Sequence, residues 1–277
     1  MTFEHVLVVG AGQMGGGIAQ VVAASGRRVS LHDPLPGATD KALAGMRKSL
    51  SKLAEKGAEA DPEAVVARVE PVGDLVCADL MVEAAVEDPN VKREIFARAD
   101  EVLPREAVLA SNTSSIPIAS LAAVTRRPDK VIGMHFFNPV PLMALVEVVR
   151  TPATSDGTAA AVIELARDLG KTPAEANDFP GFVSNRILMP FINEAVWALH
   201  DGVADADAID TIAKLGFNHP IGPLALADLI GLDTCVAIMD VLRDGLDDPR
   251  YEPCPLLREH VASGRVGRKA GRGFYIY

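Results

Sequence analysis

Two residues of this chain combine side-chain type and surroundings in a way that suits proton transfer. His135 follows an apolar run at 131–134 and precedes Phe136, Phe137 and the rigid pair Asn138 and Pro139. Glu147 sits inside a second apolar run, 145–150. A lone histidine is commonly a packed core residue. A carboxylate buried in an apolar strand, however, needs a partner to offset its desolvation, and His135 is the obvious one. A histidine oriented by a carboxylate can act as a general acid–base. The other histidines offer less: His5 and His32 flank apolar runs, His200 precedes Asp201 and Gly202, and His219 and His260 lie in polar surroundings.

A second set could hold phosphate. Gly10, Gly12 and Gly15 stand at G-x-G-x-x-G spacing, with Gln13 and Met14 between the last two. They follow an apolar run at 6–9 and precede Ile18, Val21 and Val22 at helical intervals. In a dinucleotide site the first glycine allows the tight turn and the second lets backbone approach a pyrophosphate. The third lets helix and strand pack closely. The phosphates would rest on the open N–H groups and positive dipole end of the helix. The motif alone is weak, and an unrelated βαβ unit can contain a glycine-rich turn. Here a second apolar run ends in Asp33, about 18 residues after Gly15, where an acid can bind the ribose hydroxyls. That carboxylate also favours NAD over NADP, because it repels a 2′-phosphate. Arg27 and Arg28 precede the second run and do not counter this.

Other polar residues cluster at element ends. Glu87 lies just past an apolar strand at 80–85, where α/β sheets keep their ligands. Lys92 falls in the first turn of a helix over 91–103, and a cation there opposes the helix dipole. A structural ion pair and a ligand contact both remain open for these two. Asn112, Thr113, Ser114 and Ser115 end another strand, and Ser115 with Pro117 makes a reasonable helix start. Capping explains one hydroxyl, so the run reads as a site loop. A helix over 38–56 has Lys41, Arg47, Lys48, Ser49, Lys52 and Lys56 on its polar face. That face is either solvated or a docking edge for an anionic substrate group.

The elements that must position these residues follow from the patterning. The chain has 277 residues, 49% hydrophobic and 23% charged, enough for one large or two medium domains. Its net charge of −10 argues against nucleic acid or an anionic membrane as partner. Cys77, Cys235 and Cys254 form no disulfide scaffold and no metal-ligand spacing. No basic segment precedes the first apolar run, and no apolar stretch nears the ~20 residues a membrane span needs. A cytoplasmic protein is expected. Short helices or strands are expected at 60–68, 69–72 and 155–169, with the last strand at 171–177. After Asp178 the character changes. An apolar helix over 182–199, kinked at Pro190, precedes helices at 206–215, 224–242 and 255–263 and a glycine-rich basic tail. The expected fold is α/β: a Rossmann-like doubly wound sheet in 1–180, then an all-α domain in 181–277.

Several stretches closely resemble the short-chain L-3-hydroxyacyl-CoA dehydrogenase family, of the 3-hydroxybutyryl-CoA dehydrogenase type. They are GAGQMGGGIA (10–19), Asp33, VEAAVED with Lys92, SNTSSIPI (111–118), GMHFFNPVPLMALVEVV (133–149), DFPGFVSNRIL (178–188), LGFNHPIGPLALADLIGLD (215–233) and GRKAGRGFYIY (267–277). The resemblance implies interconversion of an (S)-3-hydroxyacyl-CoA, of short chain, and the 3-ketoacyl-CoA with NAD. By position, His135 resembles the general base, Glu147 its orienting carboxylate, and Ser114 and Asn185 the donors to the reacting oxygen. Glu87, Lys92, Asn112, Ser114 and Lys269 match cofactor contacts, and Ser49 and Lys56 match contacts to coenzyme A. The C-terminal helices resemble a homodimer-forming domain, and the chain is too short for a fused hydratase. The alternatives are a related dehydrogenase of a free 3-hydroxy acid and a non-catalytic NAD-binding protein on the same fold.

Overall fold

Short valine- and leucine-rich runs can bury both faces of a strand, which is what a parallel sheet covered by helices requires. The computed structural model describes residues 2–57 and 61–277. The chain forms two units, one ending at Asp178 and one spanning Phe179–Tyr277. The strands of the first unit are β1 (His5–Val9), β2 (Arg28–His32), β3 (Val69–Val72), β4 (Leu80–Glu83), β5 (Val108–Ser111), β6 (Val131–Phe136), β7 (Leu145–Arg150) and β8 (Thr172–Asn177). Helices α1 (Gln13–Ala24), α2 (Ala38–Ala54), α3 (Pro62–Val66), α4 (Pro89–Val102), α5 (Ile118–Ala122) and α6 (Asp156–Asp168) intervene.

The sheet runs β3-β2-β1-β4-β5-β6-β7-β8. The pairings among β1 to β6 are parallel; β7 is antiparallel to β6, and β8 is parallel to β7. Strand order reverses between β1 and β4, and such a switch point opens a crevice at the carboxyl ends of the strands. This is the expected doubly wound, Rossmann-like sheet. Its core joins Val6, Val8, Val29, Leu31, Leu80, Val82, Val108 and Ile132 from the strands to Ile18 and Val22 of α1. Helix α2 buries Ala42, Met46 and Leu50, a stripe at spacing four, and leaves its lysines exposed.

Two local expectations change. The helix expected at 60–68 is confined to α3 among the described residues; position 60 lies outside them. Asp61 caps it by accepting from the Glu63 N–H at 3.0 Å. Helix α5 starts at Ile118 and takes no cap from Ser115. Asp178, at the end of β8, accepts from the N–H groups of Ile118 and Ala119 at 2.9 and 2.7 Å. A cap from sixty positions away is invisible to local spacing.

The second unit comprises α7 (Ser184–His200), α8 (Ala206–Gly216), α9 (Pro223–Ile230), α10 (Leu232–Leu246) and α11 (Pro255–Ala262). Helix α7 continues through Pro190. The single helix expected at 224–242 is instead α9 and α10, broken at Gly231, whose φ of +103° no right-handed helix can include. The tail folds back onto buried Asp228, which accepts from the N–H groups of Phe274 and Tyr275 at 3.0 and 2.9 Å. Among the described residues, no helix is long and apolar enough to cross a membrane.

Candidate active site

The turn from β1 into α1 is built by three glycines with different reasons to be glycine. Gly10 has φ +100°, and a Cβ there would overlap the Ala84 carbonyl at the end of β4. A Cβ at Gly15 would overlap the Gly10 carbonyl oxygen. At Gly12 it would meet nothing within 4 Å. Among the described residues no protein group therefore demands glycine at position 12, and the space beside it is open to a ligand. Gly12 and Gln13 are exposed at the start of α1, while Met14 packs partly against the core. A pyrophosphate on these helix N–H groups fits this cradle.

Asp33, just past β2, braces the same turn. Its Oδ2 accepts from the Ala11 N–H at 2.7 Å and its Oδ1 from the Leu35 N–H at 2.9 Å. Each carboxylate oxygen retains a further lone pair for a ribose hydroxyl. The residues present fit a dinucleotide along the carboxyl ends of β1 and β2.

Residues His135 and Glu147 are direct partners in the antiparallel register of β6 and β7. Paired residues project to one face of the sheet, and His135 Nδ1 lies 2.9 Å from Glu147 Oε2. Exposures of 8% and 3% place the pair away from bulk water. The Phe137 ring stands 4.6 Å from the imidazole, centroid to centroid. A carboxylate only accepts, so Nδ1 donates the proton of this bond.

Between the glycine turn and the histidine lies the loop after β5. The Asn112 N–H donates to the Glu83 carbonyl, and its Oδ1 accepts from the Phe136 N–H, both at 2.8 Å. Asn112 thus ties the ends of β4 and β6 together. Glu87 gathers the rest: its Oε1 accepts from the Thr113 hydroxyl, from the Ser114 N–H at 3.1 Å and from the Ser115 hydroxyl at 3.1 Å. Burial pushes the Glu87 carboxyl up, but the charge of Lys92 and the Thr113 hydrogen bond outweigh it and hold it below the usual carboxylate range.

Lys92 forms the ion pair with Glu87, at 3.2 Å, but its closer partner is Glu83 at 2.6 Å. Glu83 is fully buried and Lys92 is 1% exposed. Glu83 also accepts from the Ser111 hydroxyl at 2.6 Å and the Ala85 N–H at 2.7 Å. Sequence reasoning passed over Glu83, although the argument applied to Glu147, that a buried acid needs a partner, holds equally for it. It also passed over Lys171, whose ammonium donates to the Val140 and Met143 carbonyls at 2.6 and 2.8 Å. Those carbonyls belong to the segment joining β6 to β7, and burial pushes the Lys171 pKa down.

The remaining expected residues lie on other elements. Ser49 is half-buried on α2, and Lys56 is exposed just beyond its end. In the second unit, Asn185 is buried in the first turn of α7, and Lys269 Nζ lies 2.7 Å from the Asp233 carboxylate. Two hollows of the first unit, one by Arg27 and Asp168 and one by Leu50 and Lys171, include neither His135 nor Glu147 in their lining.

A doubly wound sheet with this glycine turn, and with an acid at the end of β2, is the architecture of a dinucleotide-binding domain. Residues 5–179 match the family described as 3-hydroxyacyl-CoA dehydrogenase, NAD binding domain, and residues 181–277 match its C-terminal domain. The chain belongs to the 3-hydroxyacyl-CoA dehydrogenase family, an enzyme family that uses NAD. It is 56% identical to a probable 3-hydroxybutyryl-CoA dehydrogenase of Deinococcus radiodurans, covering 98% of this chain and 99% of that one. A probable 3-hydroxybutyryl-CoA dehydrogenase of Bacillus subtilis is 52% identical, covering 100% and 98%. Among solved structures, (S)-3-hydroxybutyryl-CoA dehydrogenase PaaH1 from Ralstonia eutropha superposes with a TM-score of 0.95 at 49% identity, covering 100% and 99%.

Proposed function

We propose that this chain interconverts (S)-3-hydroxybutyryl-CoA, or another short (S)-3-hydroxyacyl-CoA, and the 3-ketoacyl-CoA. The observation that carries this reading is the buried His135–Glu147 pair, 2.9 Å apart, on the sheet that also bears the glycine turn. The names of the most similar relatives support the acyl group. When bound, NAD would supply the two-electron oxidant, an acceptor for the hydride of the β-carbon.

The protein's own part is one proton and the geometry. His135 accepts the hydroxyl proton at Nε2 in the oxidative direction and returns it in the reductive one. Glu147 keeps the other ring nitrogen protonated, so the acceptor is always Nε2, and its charge stabilises the imidazolium that forms. A base so placed contributes about 10²–10⁴ in rate. Ser114 is the donor assigned to the reacting oxygen, and Asn185 carries the same assignment from the family resemblance. Gly10, Gly12, Gly15, Gln13 and Met14 form the pyrophosphate turn, Asp33 binds the adenosine ribose, and Glu87, Lys92 and Asn112 shape the nicotinamide end. Lys269 is assigned to the cofactor on the resemblance alone.

Ser49 and Lys56 are assigned to coenzyme A, and the exposed lysines of α2 give that helix the positive charge an anionic carrier needs. The second unit is assigned to homodimer formation. Ile187, Leu215 and Phe217 are 67%, 82% and 62% exposed in the single chain, apolar area that a second copy would cover. The test is reduction of a series of 3-ketoacyl-CoA thioesters by NADH. Acetoacetyl-CoA should be among the best substrates, and the free acid acetoacetate should be inert. Turnover of the free acid at a similar kcat/KM would overturn the acyl-CoA reading.

A further inference from the structure

Glu83, Lys92 and Glu87 form a charge cluster that the proton chemistry does not use. Lys92 stands between two carboxylates, 2.6 Å from Glu83 and 3.2 Å from Glu87. The two sides differ sharply. The side chains of Glu83 and Lys92 are 0% and 1% exposed, while that of Glu87 is 41% exposed. The inner carboxylate accepts hydrogen bonds from the Ser111 hydroxyl, the Ala85 N–H and the ammonium. Two positive charges would be needed to neutralise the cluster, and it holds one. Glu83 is the closer and the more deeply buried partner, and an unmatched buried charge is costly, so Lys92 is matched by Glu83 and the surplus negative charge resides on Glu87.

The position of that surplus matters. Residues 83–85 form the wall against which Gly10 packs so tightly that a Cβ there would overlap Ala84. The oxygen of Glu87 that does not face Lys92 organises Thr113, Ser114 and Ser115. The charge therefore lies between the glycine turn and the loop that leads to His135, along the carboxyl ends of β4 and β5. The oxidised nicotinamide ring is a cation and the reduced ring is neutral. A fixed negative charge beside it favours the oxidised form selectively.

We infer that Glu83 is a positioning residue that neutralises Lys92, leaving Glu87 free to bias the site toward the oxidised nicotinamide. This rests on the placement of Glu87 at the nicotinamide end in the proposed function. Without the Glu83 charge, Lys92 would pair wholly with Glu87, and the cluster would become neutral.

The test measures dissociation constants of NAD⁺ and NADH by calorimetry and fluorescence titration, with no substrate and no turnover. In Glu83→Gln the ratio Kd(NAD⁺)/Kd(NADH) should rise roughly tenfold, the scale of one partly screened unit charge. Glu87→Gln should raise it at least as much. The double variant Glu83→Gln with Lys92→Met removes a neutral pair and should restore the wild-type ratio within about twofold. That double variant also guards against misfolding of the single one, because it leaves no unpaired buried charge; melting curves check both. A merely structural role would weaken both forms of the cofactor equally and leave the ratio unchanged, and that result in Glu83→Gln overturns the inference. So does a double variant with the ratio of Glu87→Gln. If Glu87→Gln leaves both constants unchanged, the placement of Glu87 itself fails, and the inference with it.

Discussion

His135 and Glu147 face each other across the antiparallel ladder that β7 makes with β6, with 2.9 Å between Nδ1 and Oε2. Strand register fixes this contact. A slip of one residue would send one of the two side chains to the opposite face of the sheet. The pair is therefore set by the same hydrogen bonds that close the sheet, and not by a flexible loop. Lys171 secures the segment between the two strands through the Val140 and Met143 carbonyls.

Replacing His135 with Ala should lower kcat by about 10²–10⁴ while NADH still binds. Stopped-flow turnover and fluorescence titration measure the two separately. Unchanged turnover would remove the imidazole from the reaction.

Glu147→Gln keeps the shape of the partner but removes its charge, so the imidazolium loses its stabilisation. A large fall in kcat with little change in KM is expected. Residues acting as one unit are non-additive, so His135→Ala with Glu147→Gln should be no slower than His135→Ala alone. Multiplicative losses would show that the two act independently.

The glycines predict a contrast. Gly15→Ala collides with the Gly10 carbonyl, so it should lower Tm and abolish cofactor binding; overpacking of this kind costs about 1–3 kcal/mol or more. Gly12→Ala has open space, so Tm should hold while NAD affinity falls. Equal affinity in Gly12→Ala and wild type would mean that no pyrophosphate approaches there.

Asp33→Ala should weaken NAD by about tenfold to a hundredfold, the worth of hydrogen bonds to a charged acceptor, and NADP by less. Part of the loss will come from the freed Ala11 and Leu35 N–H groups. Equal losses for both cofactors would assign Asp33 to the turn and not to the ribose.

Acid stability should depend on Asp100, which accepts from Arg126 Nε and Arg127 Nε, each at 2.7 Å. Burial raises its pKa, but the hydrogen bonds from Arg126 and Arg127 outweigh that and hold it below the ordinary carboxylate range. A carboxyl depressed in the folded state stabilises above its unfolded pKa and loses that contribution as pH falls through the folded value. Wild-type Tm should therefore drop from about pH 5 downward. Asp100→Asn should be less stable at neutral pH by about 3 kcal/mol, because buried Arg127 loses its counter-charge. Its Tm should also be flatter with acid; a parallel acid limb would clear Asp100 of this role.

The sequence by itself determined the doubly wound sheet, the glycine turn and the partnership of His135 with Glu147. Each rests on a periodicity, a spacing or the cost of burying a charge, and those are local or nearly local quantities. It also marked Glu87 and Lys92 without choosing between an ion pair and a ligand contact. Only the tertiary structure decided that Lys92 is shared with Glu83, that Asp178 and not Ser115 caps α5, and that Gly231 divides the expected helix at 224–242. Those outcomes depend on which distant group arrives within hydrogen-bonding range and on a backbone angle that composition does not specify. Chain packing supplies both.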